Sequence, residues 1–250
     1  MSNRAVLVTG ASRGIGRAIA EAFAAQGDRV AIHYRGSADL AAQVLASLPG
    51  EGHVTVQADV ADPDAVRGMV DEAAAGLDGL DVLVNNAASY IRHPITEMTY
   101  EQWQEAWQST LALNLVGAAN VTWCAVQYMI PRGGGRIVNV SSRGAFRGEP
   151  EQPAYGASKA GLNALGQSLA RALAPVGITV ATVAPGFVAT DMAARHLDGP
   201  RGDAIRAQSP FGRVARPDEV ASAVVFLASP EAEWASGAIL DLNGASYLRT

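Results

Sequence analysis

The sequence predicts one α/β domain, with a seven-stranded, mainly parallel sheet carrying helices on both faces. Two observations carry that prediction. Short β-type runs alternate with helical runs from end to end, and the first run, AVLVT at 5–9, is continuously apolar, as a strand covered on both faces should be. The chain has 250 residues, which suits a single domain over 1–250, and no linker, repeat or low-complexity tract divides it.

Taken in order, strand Ala5–Thr9 leads into a helix from Gly14 to Gln26. Strand Val30–Tyr34, helix Asp39–Ser47 and strand His53–Gln57 follow. Asp62 before Pro63 has the chemistry of a helix start, a capping carboxylate followed by a residue that needs no N–H partner. Asp81–Asn85 is the fourth strand, and a long helical region runs from Tyr100 to Met129. The glycines at 133–135 turn the chain into a fifth strand ending in Ile137–Val140. Helix Tyr155–Ala174, strand Thr179–Ala184, helix Pro217–Ala228 and strand Ile239–Leu242 complete the series.

Composition narrows the function classes. The chain is 49% hydrophobic and 17% charged with a net charge of −5, enough apolar surface for a sizeable core and no basic footprint for nucleic acid. The single cysteine, Cys124, sits in an apolar helical run and reads as a packed thiol in a reducing compartment. The N-terminus enters a strand directly, without room for a signal peptide, and Asn114, Gly117 and Asn120 interrupt the best candidate for a membrane span. A cytoplasmic protein is expected. The four histidines lack paired metal-ligand spacing, so no metal site is expected. Trp103 and Trp107, one helical turn apart, read as packing residues.

Two motifs carry chemistry. Thr9–Gly16 (TGASRGIG) joins the first strand to the first helix. Its glycines let the backbone turn tightly and approach a ligand, and the helix start offers N–H groups and a positive dipole end to a pyrophosphate. Tyr155 and Lys159 are four residues apart on one helix face, so an ammonium stands beside a phenol and is expected to lower its pKa towards working pH. Ser142, at the end of the fifth strand, could hold a substrate oxygen next to that phenol.

With TGASRGIG (9–16), ADV (58–60), NNA (85–87), Asn114, Ser142, YGASK (155–159) and PGFVAT (185–190) in this order, the chain resembles the short-chain dehydrogenase/reductase family over almost its whole length, nearest to bacterial 3-oxoacyl thioester reductases. The resemblance implies a Rossmann-type doubly wound fold. It implies that Tyr155 gives a proton to a substrate carbonyl oxygen and that Lys159 holds the nicotinamide ribose. It also implies that Ser142 orients the substrate and Asn114 maintains a water relay to the lysine. For the cofactor it implies a cradle of Gly10, Ser12, Arg13, Gly14, Ile15 and Gly16, with Asp59 facing the adenine and Val60 following it. Asn86 and Ala87 lie beside the cofactor, and Pro185 and Gly186 open the segment from which Val188 and Thr190 meet the nicotinamide carboxamide. One departure is visible: the family often has glycine where this chain has Ala88, which puts local cleft geometry in question.

The second strand ends in His33-Tyr34-Arg35-Gly36-Ser37, without the acid that would bind a ribose 2′-hydroxyl before Asp39. Arg13 and Arg35 stand where a 2′-phosphate would be met, so NADP(H) is preferred and NAD(H) remains possible. Substrate-facing loops are expected at 89–94, 143–152 and 192–211. They contribute Tyr90, Arg92, Arg143, Phe146, Arg147 and Met192 beside Ser142, a mixed aromatic and cationic pocket for a ketone with a polar or anionic group. That these arginines are solvated, or paired with Glu149 and Glu151, stands as the alternative. Positions that grip an acidic carrier protein in the relatives fall at Gly133 and Val176, with Arg132 next to the first. The segment 199–203 breaks the pattern and reads as a lid that orders on binding. Apolar surface on the helices at 100–129 and 155–174 suggests a homotetramer or dimer. A non-catalytic cofactor sensor and a different chemistry on the same fold, such as an epimerase, stand beside the reductase reading.

Overall fold

The computed structural model describes residues 3–249 apart from 191–192 and 195–196. Seven strands, β1 (Ala5–Val8), β2 (Arg29–Tyr34), β3 (Val54–Gln57), β4 (Val82–Asn85), β5 (Gly135–Val140), β6 (Ile178–Pro185) and β7 (Ile239–Leu242), form one sheet in the order β3-β2-β1-β4-β5-β6-β7. Every pairing is parallel. Strand order reverses between β1 and β4, and in such sheets the crevice outside that switch point takes the ligand.

β1 and β4 are buried at every position, and their side chains alternate between two cores. Val6, Val8, Val82 and Val84 pack with Ile19 and Phe23 of helix α1 (Gly14–Ala25) and with Val220 and Val224 of the helix beside it. Ala5, Leu7 and Leu83 pack on the other face with Met69 and Val70 of α3 (Pro63–Leu77) and with Val121 and Ala125. Complete burial on both faces is what a continuously apolar strand encodes. α2 (Ala38–Ser47) covers β2 and β3. Asp62 caps α3 as the sequence suggests, its carboxylate accepting from the N–H groups of Asp64 and Ala65.

The long helical region differs from a plain helix. α4 (Tyr100–Leu111) opens with a Thr99–Gln102 capping box, then Ala112–Gly117 winds as a π-helix before α5 (Ala118–Met129). The expectation that no stretch can span a bilayer needs correction, because residues 100–132 are continuous and apolar enough by length and composition alone. Part of its apolar surface is committed elsewhere, α5 packing on α3 and on β4, while Val116, Trp123 and Ile130 stay exposed. Two short helices lie where only loops were expected, α6 (Gly144–Arg147) and, after α7 (Pro153–Leu173), α8 (Gly202–Arg206) in the segment read as a lid. α9 (Pro217–Leu227) then lies against α1. Cys124 is buried in α5, and Trp103 and Trp107 meet at a tilt with ring centres 5.6 Å apart, with His93 edge-on to Trp103.

Candidate active site

The cleft along the C-terminal ends of β1, β4, β5 and β6 has a volume of about 530 Å³. Its floor is the turn from β1 to α1. Gly10 takes φ +64°, which an L side chain resists, and its N–H donates to His33 Nδ1 at 2.9 Å. The other ring nitrogen of His33 faces Ala58 O at 3.1 Å, so the ring is held as a neutral brace. Burial, the largest influence, keeps its pKa below the usual imidazole value. Thr9 Oγ1 accepts from the N–H groups of Asn86 and Ala87, and Asn86 Nδ2 donates to the carbonyls of Thr9 and Gly10. A methyl at Gly16 would run into Gly10 O and Asn86 Nδ2. α1 starts with no side-chain cap and no acid in its first turn, leaving its positive end to a ligand. Bare N–H groups, a turn too tight for side chains and an adjoining cleft fit a dinucleotide pyrophosphate.

Tyr34, Arg35, Gly36, Ser37, Asp59 and Val60 line the outer end of the same cleft with Arg13. Arg35 is loosely paired with Asp59 at 3.9 Å, its side chain 68% exposed. Arg13 is exposed and has no ion-pair partner among the described residues. Asp59 also accepts from the N–H of Ala61. Gly14, Ile15, Ser12, Ala87, Pro185, Gly186 and Thr190 line the cleft as well, whereas Val188 is buried and bridges to Ala215.

At the inner end β5 delivers Ser141 and Ser142, and the first turns of α7 deliver Tyr155 and Lys159. Ser142 Oγ accepts from the N–H of Gly144 at 3.0 Å and lies near the Tyr155 hydroxyl, whose pKa it pulls down. Lys159 is 2% exposed, donates from Nζ to Val140 O at 2.8 Å, and lies 5.7 Å from the centre of the Tyr155 ring. The expected lowering of the phenol pKa is therefore not found in the free protein. Burial pushes Tyr155 up to about 12 and outweighs the lowering influence of Ser142. Burial likewise pushes Lys159 down to about 8. The ammonium lies over the ring and bonds a carbonyl instead of the phenol oxygen. Tyr90 stands edge-on to Tyr155 at 4.8 Å, and burial, then the nearby Glu149 carboxylate, keeps its own pKa well above the usual phenol value.

Asn114 occupies the π-turn, where wide winding is common near functional sites. Its Oδ1 accepts from Ser89 N at 2.8 Å, and its Nδ2 donates to Ser89 O and Ser158 Oγ. It joins the loop after β4 to α7, with no direct bond to Lys159.

The cationic pocket does not assemble in this cleft. Arg143 turns away and donates to Ser246 and Gln208 over the ring of Phe187, while Arg147 reaches the same Gln208. Burial, then the neighbouring Arg147, holds Arg143 below the ordinary guanidinium value. Neither pairs with Glu149 or Glu151 at ion-pair distance. Arg92 and Arg201 take Glu151, and Arg92 also takes Glu97. Met192 lies outside the described residues. His33, Leu113 and Ser89 line the cleft without having been singled out; His33, packed between two polar backbone groups, was visible only as an isolated histidine in an apolar strand.

Comparison with known proteins gives a consistent picture. A family model described as enoyl-(acyl carrier protein) reductase matches residues 10–244. The 3-oxoacyl-[acyl-carrier-protein] reductase FabG of Staphylococcus aureus is 38% identical over 247 residues, covering 98% of both chains. D-threitol dehydrogenase of Mycolicibacterium smegmatis is 39% identical over 254 residues, covering 100% of this chain and 95% of its own. A short-chain dehydrogenase from Burkholderia cenocepacia, crystallised with NADP, superposes with a TM-score of 0.88 at 37% identity, covering 98% of each chain. Cradle, phenol–ammonium pair and whole-length similarity agree: the chain belongs to the short-chain dehydrogenase/reductase family and is an NAD(P)-dependent oxidoreductase.

Proposed function

We propose that the protein reduces a ketone to a secondary alcohol with NADPH, Tyr155 being the proton donor. The observation that carries this is the Tyr155 phenol, which lines the same cleft as Ser142 and the glycine turn and has the Lys159 ammonium over its ring. A bound nicotinamide supplies the hydride in reduction and accepts it in the reverse direction. The chain's residues do the rest. Ser142, fixed by Gly144 N–H, orients the carbonyl oxygen towards the phenol, and Tyr155 gives it a proton. Lys159, with two further donors beyond its bond to Val140, holds the ribose hydroxyls and stabilises the phenolate left behind. Asn114 positions the Ser89 loop against α7 and keeps the proton path to Lys159 open.

Arg13, without a carboxylate partner among the described residues, and Arg35, loosely paired, support a preference for the 2′-phosphate of NADP over NAD. A short 3-oxoacyl thioester is the first substrate to test, by similarity to FabG. A small polyol oxidised in the reverse direction is the second, favoured by the similarity to D-threitol dehydrogenase and by the absence of a basic carrier grip. Gly133 and Val176 are not basic, and Arg132 is committed to Asp81 and to Asp78 O. We read the protein as cytoplasmic and as a homotetramer or homodimer, because Trp123, Val116 and Ile130 leave apolar surface on the 100–132 helix. Light scattering tests the assembly, and a monomer overturns it.

The test of function is NADPH oxidation with a short 3-oxoacyl thioester and a panel of ketones and quinones, and NADP⁺ reduction with small polyols, each with wild type and Tyr155→Phe. Turnover lost in the variant supports the mechanism, and the best substrate sets the class. Tight NADPH binding without turnover on any of them would favour a sensing role.

A further inference from the structure

A second cavity, of about 330 Å³, opens beside the catalytic segment. Successive residues divide between the two spaces. Ser142, Pro185 and Gly186 line the cofactor cleft, whereas Arg143 and Phe187 line the second cavity. Its wall is largely apolar, with Phe187, Ile205, Val214 and Leu242. At its polar end the Arg143 guanidinium, 3% exposed, lies 5.1 Å from the Phe187 ring centre and donates only to neutral groups, Ser246 Oγ and Gln208 Oε1. Arg147 donates to the same Gln208 oxygen at 3.3 Å. Two cations thus converge on one amide oxygen, and neither has an ion-pair partner among the described residues. The other charged groups lining the cavity are matched, Arg213 by Glu219 and Asp241 by Arg249. Glu149 acts on both arginines from beyond ion-pair distance.

A buried cation with only neutral partners is costly, and a guanidinium fork matches a carboxylate in shape and charge. We propose that this cavity binds a small amphipathic carboxylate, Arg143 in its wall holding the carboxylate, Arg147 behind that wall reaching it once the Gln208 side chain swings aside, and the apolar wall holding its chain. The volume admits about ten heavy atoms at roughly 30 Å³ each, a chain of about six to eight carbons. The proposal stands independently of the ketone-reductase reading.

The experiment is calorimetric titration of hexanoate and octanoate into NADP⁺-saturated protein, with hexanamide and 1-hexanol as uncharged controls. Both carboxylates are expected to bind and the controls to bind about tenfold more weakly or worse. Arg147→Gln, an exposed change that spares the fold, should weaken hexanoate about tenfold. Gln208→Glu supplies the carboxylate from within, so it should raise Tm and abolish hexanoate binding. Equal binding of hexanoate and hexanamide, no binding at millimolar hexanoate, or unchanged binding in both variants overturns the proposal. Kinetics separates two sources of the same chemistry. Inhibition competitive with the ketone makes the carboxylate the far end of a substrate, and non-competitive inhibition makes it a separate ligand; both require the site.

Discussion

The two ends of the cofactor cleft use similar residue types in opposite surroundings. At the inner end Lys159 is buried and Tyr155 half-buried in the cleft wall, and desolvation moves both away from their ordinary pKa values. At the outer end Arg35 and Asp59 sit 3.9 Å apart in solvent, where a pair of charges is worth little. The inner end can therefore fix chemistry, because a dry site makes each hydrogen bond and charge count. The outer end can only bias which cofactor enters, and its bias should fade with salt.

The largest expected contrast comes from Tyr155→Phe. Removing the proton donor should lower kcat for ketone reduction by about 10²–10⁴-fold while NADPH affinity, measured by fluorescence titration, changes little. A variant retaining a tenth or more of wild-type turnover would break the assignment of the inner end.

Lys159→Met should separate stability from activity at the same end. The ammonium has a pKa of about 8 in the folded chain against 10.5 in model compounds. Below pH 8 it is charged in both states and its burial costs the fold about 3 kcal/mol at most. Stability then rises with pH through the window up to 10.5, where the unfolded chain holds the extra proton. Set against about 1 kcal/mol for the lost bond to Val140 O, the methionine variant should gain about 1–2 kcal/mol at neutral pH. That corresponds to a Tm higher by about 2–8 °C, while turnover collapses. The gain should vanish at the alkaline end of that window; a variant that melts earlier at neutral pH would contradict the burial argument.

Gly16→Ala tests the floor between the two ends. Its methyl meets Gly10 O and Asn86 Nδ2, so the turn must move, at about 1–3 kcal/mol. NADPH should bind about tenfold or more weakly, by the same titration, with either nicotinamide cofactor affected alike.

The smallest effect belongs to the outer end. Arg13→Ser should reduce the preference for NADPH over NADH by about tenfold at low ionic strength and by less as salt rises. Tyr155→Phe should show no such salt dependence, and a salt-sensitive inner end would undo the comparison.

Much of this was legible in the sequence because it depends on local pattern. The apolar run at 5–8, the glycines at 10, 14 and 16 and the four-residue spacing of Tyr155 and Lys159 each fix a local geometry that tertiary packing leaves intact. The π-turn at Ala112–Gly117 was not legible, since its residues suit an ordinary helix and the wide winding appears only in the folded chain. His33 was missed for a related reason: its partners Gly10 and Ala58 are 23 and 25 residues away, and nothing near it in sequence marks them. The direction of Arg143 was misjudged because the 143–152 stretch was read as a loop facing the cleft. Its backbone N–H instead continues the pairing to Pro185 O, so the side chain goes to the side opposite Ser142. The phenol pKa moved against expectation because desolvation depends on everything around a group, and the helix spacing describes only its nearest neighbour.

The central claim is that burial keeps Tyr155 protonated so that the inner end acts as an acid. The pH dependence of kcat in both directions tests it most directly. With the phenol pKa raised, ketone reduction should stay level from about pH 6 to 7, below the Lys159 pKa of about 8, and alcohol oxidation, which needs the phenolate, should climb across the same range. The climb should disappear in Tyr155→Phe. An oxidation rate independent of pH, or one that climbs equally in the variant, would contradict the account.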